Sequence, residues 1–316
     1  MTGTEILPPA GPRPERPNVP AFEERRAAVA TPALRSPARM ALRRFLRHRM
    51  ALVGLVVLVL AVLAAVFAGL LAGQDPNRIN LSEVRQPPSA AHWLGTDDSG
   101  RDVFSRLLHA GRISLAVGFA AAIVACTIGT SLGALAGVLG GWVDTAIMRV
   151  ADMFLSLPLL IVLIVIAGIL GPSAVSMVVL FGIFAWPTSG RIVRGITLSI
   201  REREFFQASR AFGARTGWLM RHHVLPAVLG AVVVVATLEV AQAILLEAAL
   251  SFLGLGIQPP QASWGNMLND AQRLSVISQM PWLWMPPGIA VAVTVLSVNF
   301  VGDGLRDAFD PRETQS

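Results

Sequence analysis

Long apolar runs alternate with short charged stretches along most of this chain. The runs cover 50–72, 113–139, 153–170, 175–186, 228–250 and 287–301. The first would be about 34 Å long as an α-helix, at 1.5 Å per residue, enough to cross the hydrocarbon core of a bilayer. Six such runs predict an all-α polytopic membrane protein of six transmembrane helices, with both termini on one side. Gly171-Pro172-Ser173 is a turn signal between the third and fourth runs, and Pro187 closes the fourth.

The polar stretches divide the chain further. Residues 1–38 are rich in Pro, Ala, Arg and Glu without an apolar period, and predict a disordered tail. Residues 39–72 hold a basic membrane-proximal segment and the first span. Leu42, Phe45 and Leu46 on one side of 39–49 suit a helix lying on an anionic membrane surface; a nucleic-acid patch is the sharper alternative. A polar segment follows over 73–108, then a core over 109–303 and a tail over 304–316. Within 251–286, Gly254, Gly256, Pro259 and Pro260 predict irregular backbone. Trp264, Trp282 and Trp284 there suit the membrane interface, as anchors or as solute contacts.

One charged island, 202–226, reads EREFFQASRAFGARTGWLMRHHVLP. Phe205, Ala208 and Phe212 share one side of a helix, and Arg203, Gln207 and Arg210 share another. Gly213 then predicts a left-handed helix end. A short helix with an apolar stripe, hung between spans, is suited to being held by another protein.

Composition agrees with a membrane protein: the 316 residues are 53% hydrophobic and 15% charged, with a mean hydropathy of +0.60. All 26 basic residues are Arg. Without Lys the chain cannot build a GxxxxGK[ST] phosphate loop or a Schiff-base site. Twenty Arg fall in segments on the N-terminal side of the predicted spans and six on the other, which predicts cytoplasmic N- and C-termini and a cytoplasmic loop 190–226.

Candidate chemistry is sparse. Cys126 is the only cysteine, so no intrachain disulfide forms, and its apolar run predicts a buried structural thiol. The adjacent His222 and His223 do not share a helix face and make a poor metal clamp. Inside the spans, Glu239 and Glu247 lie eight apart on about one helical face. They read either as a pore-lining pair that touches solute or as helix–helix hydrogen bonds, and Asn299 has the same two readings. Asp144 and Asp152 flank Arg149, which predicts local ion pairing. No HExxH, no Gly-x-Ser-x-Gly and no chain of intramembrane proton carriers occurs.

The island resembles the cytoplasmic loop of binding-protein-dependent ABC importer permeases: EAA, three residues, Gly, nine residues, Ile-x-Leu-Pro. Gln207-Ala208-Ser209, Gly213 and Leu225-Pro226 keep the spacing, with Gln207, Ser209 and His223 replacing the usual Glu, Ala and Ile. LGTDDSGRDVFSRLLHAGRISL (94–115), EAALSFLGLGIQPPQASWGNML (247–268) and NFVGDGLRDAFDPR (299–312) are similar to segments of the second permease subunit of dipeptide and oligopeptide importers.

The resemblance covers about 40–312 and implies a type I ABC importer permease fold with an extra N-terminal span. It implies a subunit of a peptide importer in a bacterial inner membrane, with nickel or another small solute as the alternative cargo. The partners it implies are a homologous second permease, two ATPase subunits that carry ATP and Mg, and an extracytoplasmic solute-binding protein. No cofactor, metal or catalytic residue is expected on this chain, and no nucleic acid. Coupling to an ATPase would use Arg203, Glu204, Phe205, Gln207, Ala208, Ser209, Arg210, Phe212 and Gly213. Phe205 and Phe212 would be knobs, Arg203 and Arg210 would pair with acidic rim residues, and Pro226 would start span five. A self-contained channel or carrier, or a docking scaffold, is the alternative class.

Overall fold

A computed structural model describes residues 37–171 and 173–309. Apart from an isolated bridge between Thr96 and Asp102, the regular structure among them is helical. The tail expected over 1–38 lies outside the described residues, save its last two, which open α1 (Pro37–Phe45). His48 turns the chain into α2 (Arg49–Val66), its Nδ1 accepting the Ala51 N–H at 3.0 Å. A single turn, α3 (Ala68–Leu71), precedes the long polar loop.

The next helix, α4 (Val103–Leu139), starts ten residues before the apolar run predicted it. Asp102 caps it, its carboxylate accepting the Ser105 N–H at 2.7 Å. Arg106, His109 and Arg112 hide this first part from a hydropathy reading, although Val103, Ala110 and Gly111 are buried. The run at 153–170 is not one straight helix. It belongs to α5 (Gly141–Ser156) and α6 (Leu159–Leu170), bent by 88° at the break. Pro158 removes a backbone donor there and holds Leu157 extended.

Pro187, expected to close the fourth run, lies inside α7 (Ala174–Arg201). The helix survives the missing N–H because Ser189, Gly190, Val193 and Thr197 are buried beyond it. Across the polar island come α8 (Glu204–Ala211) and α9 (Thr216–Leu219). A π turn (Met220–Val224) then feeds α10 (Leu225–Phe252) without a break, so the fifth span starts ten residues before Pro226. Because proline offers no N–H, the wide turn just ahead of it fits the lost hydrogen bond. Two short helices, α11 (Trp264–Asp270) and α12 (Leu274–Gln279), lead to α13 (Pro281–Phe309), which runs past the expected end at 301. Residues 310–316 of the expected tail lie outside the described ones. Among the described residues, five helices are long and apolar enough to cross a membrane, six if the bent pair counts as one span.

The bundle is organised around α4. Gly129, Gly133 and Gly137 recur every fourth residue and form the face on which α7 lies. A methyl on Gly129 would sit 2.7 Å from the Trp186 carbonyl oxygen, and one on Gly137 2.5 Å from Thr197 Cβ. One on Gly133 would meet the Gly190 carbonyl. On its other side α4 packs against α10 through Leu115, Ala122, Val240 and Ile244. At the far edge α2 leans on α13, where a methyl on Gly54 would lie 2.7 Å from the Ser297 carbonyl oxygen.

A buried polar node ties the loop after α10 to this core. Glu247 is fully buried and accepts from Ser114 of α4 at 2.8 Å and from Ser251 at 2.7 Å. The Ser114 hydroxyl oxygen in turn accepts the Trp264 N–H at 3.1 Å, and the Ser251 oxygen accepts the Ile257 N–H at 3.3 Å. Ser263 and Asn266 close a reciprocal cap on α11.

Two outcomes follow. Gly133→Ala lowers the thermal unfolding temperature in detergent, whereas Gly168→Ala on α6, where a methyl meets nothing within 4 Å, leaves it unchanged or raises it. Equal behaviour of the two would refute the close α4–α7 approach as a constraint. Glu247→Ala strands the Ser114 and Ser251 donors, at about 1–3 kcal/mol for buried unpaired groups. Limited proteolysis within 253–263 therefore speeds up, and an unchanged cleavage rate would show that the node does not hold the loop.

Candidate functional site

The island folds as a short helix with three differing faces. Arg203 is extended at its start, Glu204 sits in the first turn and Arg210 in the last, matching the helix dipole. Phe206 is 1% exposed and enters a cluster with Val138, Val193, Ile200, Leu219 and Val224. Phe205 is 47% exposed and Phe212 92% exposed, and Ala208 lies open with them. Phe212 and Ala208 of the predicted stripe thus face away from the rest of the chain, while Phe205 is half-covered, its ring 5.3 Å from that of His223. Sequence reasoning missed Phe206, the anchor; two adjacent Phe leave open which one faces the core.

The helix end is tightly specified. Gly213 has φ +84°, its N–H reaches the Arg210 carbonyl at 3.0 Å, and the Ala214 N–H reaches the Ser209 carbonyl at 3.1 Å. This is the paired hydrogen-bond pattern of a left-handed helix cap. Ser209 donates to the Phe205 carbonyl at 2.8 Å and lies 3.2 Å from His223 Nε2. Gln207 donates to the Glu202 carbonyl at 3.2 Å, while Arg203 and Arg210 are exposed. Beyond the cap, Ser209, Phe212, Gly213, Arg215 and Trp218 line an open hollow of about 440 Å³. Trp218 stacks on His222 with ring centres 4.5 Å apart, and His223 sits among Phe205, Phe206 and Trp218. Pro226 is exposed within the continuous helix.

The island is wired to the spans through α7. Arg201 donates to the Gly137 carbonyl of α4 at 3.2 Å. Arg194 forks onto Asp144 of α5, one of its bonds measuring 2.6 Å, and Arg191 pairs with Asp152. The expected local pairing with Arg149 does not form: Arg149 is exposed, and both aspartates reach across to α7. Carboxylates eight apart lie on one face, and Arg191 and Arg194 lie on the facing one.

Glu239 and Glu247 both turn toward α4 but meet different surroundings. Glu247 is enclosed in the serine node. Glu239 is 6% exposed, accepts from Cys126 Sγ at 3.2 Å, and borders a cavity of about 400 Å³ between α4, α7, α10 and the α5–α6 bend. Asn299 is half-buried on α13 and does not line that cavity.

The other end of the bundle carries an ion-pair web between the 94–106 segment and the loop after α11. Arg101 Nε binds Asp97 at 2.7 Å, and Arg106 Nη2 reaches Asp270 at 3.4 Å. Arg106 Nη1 stands 3.1 Å from Asp97 without hydrogen-bond alignment. Asp98 joins Arg85 at 2.6 Å to Arg273 at 2.8 Å. The Arg85 hydrogen bond holds the Asp98 carboxyl below its ordinary range. Burial pushes Asp270 above its own, against the pull of Arg106 and Arg101. Trp264 is core rather than interface anchor: it is buried, and its indole donates to the Leu107 carbonyl at 3.2 Å. No group of three or more metal-ligating side chains occurs among the described residues.

An exposed aromatic helix end, a mostly apolar cavity beside a buried carboxylate and a charged web at the other end of the bundle suit a membrane-embedded chain. Residues 129–315 match the family model described as binding-protein-dependent transport system inner membrane component. Residues 36–88 match the N-terminal transmembrane domain of oligopeptide transport permease C. The dipeptide transport system permease protein of Alkalihalophilus pseudofirmus is 42% identical over 94% of this chain and 95% of its own length. The glutathione transport system permease protein of Pectobacterium atrosepticum is 40% identical over 89% of this chain and 93% of its own. The oligopeptide transport system permease protein of Bacillus subtilis is 40% identical over 86% and 88%. This chain therefore belongs to the family of binding-protein-dependent transport system inner membrane components.

Proposed function

We propose that this chain is the permease subunit of an ATP-driven importer of small peptides in a bacterial inner membrane. It forms half of the pathway with a homologous permease and binds no cofactor itself. Two ATPase subunits carry ATP and Mg, and an extracytoplasmic solute-binding protein delivers the peptide. Peptide cargo rests on the relatives, which are named for dipeptide, glutathione and oligopeptide transport. The segregation of twenty Arg to one side supports cytoplasmic termini and a cytoplasmic α8.

The single observation that carries the coupling role is the outward presentation of Phe212, with Phe205 half-exposed, on a helix whose own anchor, Phe206, is already buried. Such a helix is held from one side and offers the other to a groove. The exposed Arg203 and Arg210 flank it and suit an acidic rim. ATP binding would draw the ATPase pair together, carry α8 with it, and tilt α7 through Arg201, Arg191 and Arg194.

Reconstitution with the partner chains tests this. Phe212→Ala weakens ATPase binding by about thirtyfold, the equivalent of a 2 kcal/mol anchor residue. Gly213→Asp, forced to φ +84°, leaves membrane insertion intact but separates ATP hydrolysis from peptide uptake. Normal binding and uptake in both variants would remove the loop from the mechanism. Flux through the chain alone would mark a channel, nickel uptake a different cargo, and binding without flux a scaffold.

A further inference from the structure

We infer that α1 docks on the acidic phospholipid headgroups of the leaflet where α2 enters the membrane, through the exposed side chains of Leu42, Arg43, Leu46, Arg47 and Arg49. The inference rests on the membrane spans and not on the proposed cargo.

From Met40 on, α1 carries distinct rows of side chains. Successive residues lie about 100° apart around a helix, and residues four apart share a row. Ala41 and Phe45 form the inner row. Phe45 is buried and joins Ala51, Val301 and Ala308 in one cluster, with Ala41 and Leu305 packed against it. A methyl on Gly304 of α13 would stand 3.2 Å from Phe45 Cε2. The sequence places Phe45 with Leu42 and Leu46; the structure turns it to the core as an anchor instead. Leu42 and Leu46 form the second row, 58% and 53% exposed. The Leu46 N–H reaches the Leu42 carbonyl at 3.0 Å, so this row runs past the end of the helix. Arg43 and Arg47 form the third row, and both are exposed. An apolar row beside a basic one, on a helix already held from behind, suits a segment lying in a membrane interface.

The connection to α2 brings these rows to the membrane surface. His48 is extended, with φ −82° and ψ 98°, so α1 leaves the axis of α2. The lipid-facing stripe of α2 begins directly after the basic segment, with Met50 and Val53 exposed. Charge then selects the kind of surface. Residues 40–74 hold four Arg, all within 43–49, and no Asp or Glu. Among the described residues, Arg43, Arg47 and Arg49 form no ion pair. The last turns of α13 carry Asp303 and Asp307 with Arg306 between them, and Asp307 is turned to His48 at 3.6 Å. The surplus of positive charge beside exposed leucines complements an anionic bilayer, which offers both phosphate and an apolar phase. A nucleic acid or free phosphate offers the charge alone. Once docked, α1 holds the α2–α13 pair at a fixed height in the membrane through Phe45 and Ala51.

The test is hydrogen exchange, read by mass spectrometry, on the full chain with its copurifying partners in nanodiscs of phosphatidylcholine or of phosphatidylglycerol. Each Arg near an anionic surface strengthens binding about fivefold, so amides of 42–47 exchange at least about tenfold more slowly in phosphatidylglycerol. Amides of α11, at the other end of the bundle, exchange alike in both. A variant combining Arg43→Gln, Arg47→Gln and Arg49→Gln keeps helix propensity and the Phe45 anchor. It matches the parent in phosphatidylcholine and gains less than about twofold from phosphatidylglycerol. In phosphatidylcholine, neither inorganic phosphate nor a DNA or RNA oligonucleotide slows exchange of 42–47 in the parent. Equal exchange of the parent in the two lipids, a slowing that α11 shares, or an undiminished lipid effect in the variant overturns the inference. So does slowing by phosphate or oligonucleotide equal to that by phosphatidylglycerol. Because the two lipids are compared on the parent, the outcome stands even if the variant folds poorly.

Discussion

The closeness of α4 to α7 is the constraint on which the rest depends. In lipid, apolar side chains gain little by leaving one hydrocarbon neighbour for another, so helices associate through tight packing. Gly129, Gly133 and Gly137 let the α7 backbone rest directly on α4. That contact spans the stretch of α7 just beyond Pro187 and keeps it helical despite the missing donor. It also fixes where Arg191, Arg194 and Arg201 emerge, and therefore where α5 and α8 are held.

Most polar groups in the bundle are paired, and Thr130 Oγ1 and Glu239 Oε1 are among the exceptions. Glu247, Ser114, Ser251, Ser263 and Asn266 satisfy one another and pin an otherwise irregular loop. The same loop brings Gly265 against α10, where an added methyl would stand 2.7 Å from Ala248 Cα. A dense, fully paired node of this kind rigidifies its surroundings. Glu239, on the same helix and facing the same neighbour, keeps one oxygen without a partner. Identical chemistry eight residues apart thus meets different surroundings: one carboxylate closes a serine node and the other lies buried beside a cavity.

Much of this was legible in the sequence. The apolar runs located the helical spans, Gly213 marked a left-handed end, and the spacing of Glu239 and Glu247 put both on one face, which in the structure turns toward α4. Three prolines show where legibility stopped. Pro158 breaks a helix, Pro187 is carried inside one, and Pro226 follows a π turn in a third. Local propensity is the same at all three; the outcome depends on how firmly neighbouring helices grip the flanking turns. Phe205 and Phe206 make the same point for burial, since adjacent residues on a short helix differ only in which one the tertiary core can reach. Asp144 and Asp152 paired with a distant helix rather than with Arg149, because the i+3 arginines of α7 present a matched fork that sequence neighbours cannot.

In the proposed function, these contacts make α7 the link between α8 and the cavity beside Glu239. Its last turn touches α4 beside α8, its middle arginines hold α5, and Phe184 and Thr188, one to two turns earlier, line the cavity of Glu239. A push on α8 that tilted α7 would load the ion pairs to Asp144 and Asp152 and strain the bend at Pro158. That bend forms one wall of the cavity. Movement at the exposed aromatic end would therefore change the space beside Glu239 without any direct contact between the two. Close packing makes such transmission efficient, because an interface of glycine on backbone has no soft side chains to absorb the displacement.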